Sequence, residues 1–203
     1  MSFPPAHMLI GAGLAEVAWS AVPLVPRWRA WAVTAFMAAL PDVDMLIGYV
    51  SHRGALLHGT FTHSLSAVVL CTLLVVGIAG PRWGAFTALG YGSHLLVDLL
   101  DARGPTNVTL GWPFSSAPAT AIEPIFQPVP VEAEHGATTL VESILRGPSL
   151  RILLEQTATA AAIFVGMLAL AWMIRQARAR WRPASLAVAG VADDTDLRGG
   201  TAA

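Results

Sequence analysis

The sequence predicts an all-α protein, a polytopic helical bundle in a membrane with about five membrane segments and a long loop between the fourth and fifth. Three observations carry that prediction. Hydrophobic residues make up 55% of the 203-residue chain and charged residues only 12%, against about 25% charged in soluble domains. Mean hydropathy is +0.60. The apolar residues also fall in runs that approach the roughly 20 residues needed to cross a bilayer.

The first segment, about 5–25, is interrupted by His7, Glu16 and Pro23 and is the weakest of the five. The second, about 30–50, contains Pro41, Asp42 and Asp44. The third, about 64–80, is a clean apolar run, and the fourth, about 84–101, carries His94, Asp98 and Asp101. The fifth, about 157–174, is rich in Ala and Leu. Between the last two lies 102–156, where Pro113, Pro118, Pro124, Pro128 and Pro130 argue against helix. Within it, 122–131 reads as extended and 138–155 as short amphipathic helices broken at Gly147-Pro148. The organisation expected is one integral membrane domain over 1–183, with 102–156 as an extramembrane loop inside it, and a disordered tail over 184–203.

All twelve basic residues are Arg, and the formal net charge is -1. No basic field points to nucleic acid. The single cysteine, Cys71, excludes an internal disulfide and a Cys-rich zinc module. The N-terminus lacks the basic flank of a signal peptide, so the first apolar stretch reads as part of the mature protein. Arg27 and Arg29, Arg82, and Arg175 to Arg182 occupy the loops that five spans would place on one side. The positive-inside rule makes that side cytoplasmic, with the C-terminus. The other side holds Arg53, Arg103, Arg146 and Arg151, spread over longer loops.

Under this topology the ionisable residues of the apolar segments gather at the outer level. His94, Asp98 and Asp101 stand at i, i+4 and i+7, on one helical face. Asp42 and Asp44 diverge by about 200° on a regular helix. Either Pro41 bends the backbone so that both point inward, or one ligates while the other caps or orients. A Pro-Asp turn is the plainer alternative. His58 and His63 are five apart. Gly59-Thr60 reads as a turn, with Thr60 or Thr62 capping the third segment. A pair of interfacial histidines is the plainer alternative there, and a hydrogen-bonded polar pair is the one at His94 and Asp98. Asp98 can also orient a ligating histidine rather than ligate. His7 and Asp101 are equally compatible with surface positions, His52 has no partner by spacing, His135 sits in a polar loop, and Glu16 has no assigned role.

Ionisable groups at membrane depth are costly and usually functional. The set is His and carboxylate without thiolate, which suits a divalent ion, zinc first with manganese or iron as the other choices. The metal candidates are His7, Asp42, Asp44, His58, His63, His94 and Asp98, enough for one or two ions. Such an ion lowers the pKa of bound water to about 7 and supplies a nucleophile. Asp42, His58 and Asp98 are the candidates for catalytic work, with His or Asp accepting the proton. No Ser/His/Asp triad order, phosphate-cradling Gly loop or dinucleotide fingerprint is present, so no organic cofactor site is expected.

The motifs resemble the YdjM-like (LexA-regulated type) family of membrane-bound metal-dependent hydrolases of bacterial inner membranes. The matching pieces are His7; Leu40-Pro41-Asp42-Val43-Asp44; His58-Gly59-Thr60-Phe61-Thr62-His63-Ser64; Gly90-Tyr91-Gly92-Ser93-His94-Leu95-Leu96-Val97-Asp98; and Gly111-Trp112-Pro113-Phe114. The resemblance covers roughly 5–115. The family's Arg-Gly after the first His reads Gly59-Thr60 here, which leaves Arg53 as a stand-in for an anion-binding Arg. A more distant similarity is to the metal-site pattern of zinc phospholipase C.

The resemblance implies a multi-pass hydrolase of the bacterial inner membrane, acting on a lipid or membrane-proximal phosphoester, with membrane lipids as its surroundings. A metal-binding or transport protein without hydrolytic turnover is the alternative. Nearly all-apolar third and fifth segments disfavour transport. A structural or regulatory membrane protein is the third reading.

Overall fold

The computed structural model describes residues 4–50, 58–100, 108–120, 125–126 and 147–181. The described residues contain six α-helices: α1 (Pro4–Ala21), α2 (Arg27–Ala39), α3 (Val43–Val50), α4 (Leu65–Ala79), α5 (Pro81–Leu99) and α6 (Gly147–Arg180). Single 3-10 turns at Leu40–Asp42 and Phe61–His63 join α2 to α3 and lead into α4. The regular structure among the described residues is helical, as composition predicts.

Helix α1 is the hub, packing against α2, α5 and α6. Small residues make this approach close. A Cβ on Gly11 of α1 would stand 2.9 Å from the Thr34 carbonyl oxygen of α2, and one on Gly90 of α5 would stand 2.4 Å from the same atom. Helices α1 and α5 therefore grip α2 from two sides through glycines, the small-residue packing of membrane bundles. Apolar contacts finish the job. Ala6, Ile10, Val97, Phe126 and Ala160 cluster towards one end of the bundle, and Ala15, Ala30 and Phe86 towards the other.

These pairings fix the directions of the helices. Helix α2 runs parallel to α5, with Ala30 near Phe86 and Ala38 at His94. Helix α6 runs parallel to α1, with Ala160 near Ala6 and Arg175 at Glu16. The α1–α2 and α4–α5 turns and the end of α6 thus share one end of the bundle. Gly80, at φ 92°, makes the tight α4–α5 turn.

Helices occupy all five expected places, but five membrane crossings do not follow from them. Among the described residues only Ser149–Arg180 is long and apolar enough to cross, and just 11% of its apolar window is buried inside the protein. Helix α4 is apolar, with Leu70, Leu73, Leu74 and Ile78 exposed, yet its 15 residues reach only about 22 Å at 1.5 Å per residue. The second segment is two helices, because Pro41 interrupts the hydrogen-bond ladder. The fifth helix is longer than expected. Gly147-Pro148 opens a 34-residue helix instead of breaking one, since proline is tolerated in a first helical turn; 147–156 is therefore helix rather than loop. The extended stretch at 122–131, apart from Ile125 and Phe126, the helices at 138–146 and the tail at 184–203 lie outside the described residues, as do His52, Arg53, Asp101 and His135.

Candidate metal centre

Four elements deliver the polar cluster at one end of the bundle. Helix α1 supplies His7, the Pro41 turn and α3 supply Asp42 and Asp44, the loop before α4 supplies His58 and His63, and α5 supplies His94 and Asp98. All seven predicted metal candidates fall into three overlapping groups: His7, His94 and Asp98; Asp42, His63 and His94; and Asp44, His58 and His63. Within each group one donor atom per residue lies within 4.8 Å of the others. The Pro41 turn buries both carboxylates in the cluster, but in different states: Asp42 is free to ligate, while Asp44 is held by loop side chains that it orients.

Hydrogen bonds assign the ring protons. His94 Nδ1 donates to the Ala38 carbonyl at 2.7 Å, which leaves Nε2 as a lone pair. The Thr62 hydroxyl donates to Asp44 Oδ2, so His63 Nδ1 donates to Thr62 Oγ1 at 2.9 Å, and its Nε2 is a lone pair when the ring is neutral and a donor when it is protonated. These two Nε2 atoms face each other at 3.0 Å. Asp98 Oδ2 lies 3.1 Å from His94 Nε2 and 3.4 Å from His63 Nε2. Asp42 Oδ1 stands 3.8 Å from both. His94 Nε2, Asp98 Oδ2 and Asp42 Oδ1 therefore converge around His63 Nε2, an arrangement that calls for positive charge, either a proton on His63 or a metal ion. Both oxygens of Asp42, both ring nitrogens of His7 and Oδ2 of Asp98 are buried without hydrogen-bond partners among the described residues. His7 stacks on His94 with ring centroids 4.0 Å apart, its Nε2 3.5 Å from Asp98 Oδ1.

Asp44 differs from Asp42. It accepts from Thr62 and from His58 Nδ1 at 3.0 Å, and His63 Nδ1 lies 3.2 Å from its Oδ2. Its oxygens are satisfied, in the arrangement that orients metal-binding histidines from behind. Burial alone pushes the His63 imidazolium pKa down, but the carboxylates of Asp42, Asp44 and Asp98 outweigh it and raise the value to about 10. In the absence of metal, a proton on His63 neutralises part of the cluster.

Two participants were not legible as such. Thr62, read as a cap, holds Asp44, while Ser64 caps α4 by accepting from the Ala67 amide at 3.1 Å. Tyr91 donates to the Thr62 carbonyl at 2.8 Å, tying the loop to α5. Its position three residues before His94 was the available signal. Arg53, the stand-in for the family Arg, and Asp101 lie outside the described residues.

The fold and the donor set define a helical protein with a buried His/Asp centre at one end and a helix fit to cross a membrane. The chain belongs to the YdjM inner membrane protein family, whose model matches residues 1–182. No curated protein and no solved structure matches it. It is therefore a protein of the inner membrane, and several of its His/Asp groups have the geometry to hold a metal ion.

Proposed function

We propose that the chain is a multi-pass metal-dependent hydrolase of a lipid or membrane-proximal phosphoester. Its centre is Asp42, His63, His94 and Asp98, with His7 adjoining. The observation that carries this reading is the buried, unpartnered set of acceptor atoms around Asp42, Asp98 and His7. A tetrahedral divalent ion, zinc first, fits the two imidazoles and two carboxylates. When bound it supplies Lewis acidity and acidifies water.

His58 is the proton acceptor in this scheme. Its side chain is 7% exposed whereas those of His7, His63 and His94 are fully buried. Asp44 fixes its ring through Nδ1, leaving Nε2 to take a proton. Asp42 and Asp98 hold the charge that anchors the ion. The centre faces outward and the Arg-rich end lies in the cytoplasm, a reading supported by the shared end of Arg27, Arg82 and Arg175.

Release of phosphate or headgroup from a phospholipid, beside cleavage of a soluble aryl phosphodiester, tests the proposal in metal-loaded protein. His58→Ala should retain metal and lose turnover, while His94→Ala should lose both. Bound metal without turnover on either substrate would favour the metal-binding or transport alternative.

A further inference from the structure

A second polar assembly occupies the opposite end of the bundle. Glu16 is fully buried and accepts from Arg27 Nε at 2.7 Å, from Trp31 Nε1 at 2.9 Å and from Arg175 Nη1. Arg175 also donates to Ser20 Oγ at 2.6 Å, and Arg178 donates to the Ser20 carbonyl at 2.8 Å. Trp19, Ser20, Pro23, Arg175, Arg178 and Ala179 line a cleft of about 320 Å³ there. Two guanidiniums, of Arg27 and Arg175, thus meet one carboxylate. Arg178 is held by a neutral carbonyl, and among the described residues no carboxylate pairs with it.

We propose that this cleft binds the phosphate of an anionic phospholipid headgroup. The excess of positive charge at the cleft favours an anion, and guanidinium forks match phosphate oxygens. The aromatic residues set the depth. Five of the seven tryptophans stand in the terminal turns of helices on this side or just beyond them: Trp19, Trp28, Trp31, Trp83 and Trp181. Indoles concentrate at the headgroup level of a bilayer. A cationic cleft at that level meets lipid phosphate before any soluble anion, and basic residues near a membrane surface favour anionic lipid. The site is separate from the His/Asp centre and does not depend on its chemistry.

Detergent-solubilised full-length protein titrated with phosphatidylglycerol, phosphatidylcholine or inorganic phosphate, with bound species counted by native mass spectrometry, tests the site. Phosphatidylglycerol should bind in preference to phosphatidylcholine. Arg178→Gln should weaken that binding about tenfold, the loss of one charge-assisted contact. Arg82→Gln removes the same charge at the same end but outside the cleft, and should change little. Ala179→Asp provides a second route, placing an acid at the rim without removing an existing contact. Equal weakening by Arg82→Gln, equal binding of phosphatidylcholine, or inorganic phosphate matching phosphatidylglycerol would each overturn the proposal, as would unchanged binding in both cleft variants.

Discussion

His63 Nε2 and His94 Nε2 face each other across 3.0 Å, from residues 31 apart in the chain. Each ring has its Nδ1 committed as a donor, to Thr62 Oγ1 and the Ala38 carbonyl respectively. Without metal a proton on His63 bridges the pair, and once that proton is lost two lone pairs beside two carboxylates have the geometry to hold a metal ion.

Asp42 and Asp44 should separate on mutation. Among the described residues Asp42 makes no close hydrogen bond, its Oδ1 standing 3.8 Å from His63 and His94 Nε2, whereas Asp44 is saturated by loop side chains. Asp44→Asn should weaken metal affinity about 10–100-fold, as loss of an orienting group does. Asp42→Asn should remove a ligand and reduce retention further. A metal-affinity titration of both variants checks the order, and a larger effect at Asp44 would make it the ligand.

Metal uptake should release protons. Because His63 is raised to about 10 without metal, its Nε2 carries a proton at neutral pH that an ion must displace. Affinity should therefore rise with pH across the neutral range and fall below it. Calorimetry in buffers of different ionisation enthalpy counts the released proton. A pH-independent affinity between 6 and 9 (roughly the window below the folded value) would contradict this account.

The Gly90 contact is steric and should not tolerate a methyl. A Cβ there meets the Thr34 carbonyl at 2.4 Å and Met37 Cβ at 3.0 Å. Gly90→Ala should cost about 1–3 kcal/mol through overpacking, read as a lower unfolding temperature in detergent. Gly92, with nothing within 4 Å of an added Cβ, is the control.

Glu16→Gln should destabilise the bundle at its Arg-rich end. The substitution leaves Arg27 and Arg175 without their buried counter-ion. Their exposures of 49% and 36% temper the loss to about 1–3 kcal/mol, below that of a fully buried pair. Thermal unfolding measures it. Metal content should stay unchanged, because the centre lies at the other end.

The fold class and the membership of the cluster were legible in the sequence for one reason. Ionisable side chains in apolar segments are conspicuous, and the i, i+4 spacing of His94 and Asp98 has one helical meaning. The different states of Asp42 and Asp44 were not legible, because they depend on where the Pro41 turn leaves each carboxylate relative to the distant loop at 58–63. Glu16 looked unpaired for the same reason. Its partner Arg175 is 159 positions away. The number of membrane crossings was not legible, because hydropathy counts apolar residues without showing that α4 stops after 15 or that Pro41 divides the second segment.

The central claim is most directly tested by elemental analysis of the purified protein after reconstitution with divalent metal, for wild type, His94→Ala, Asp98→Ala and the distant Arg82→Gln. The account predicts at least one tightly held ion per chain in wild type and Arg82→Gln, and a strong loss in the two ligand variants. Equal metal in all four proteins, or none in wild type, would contradict it.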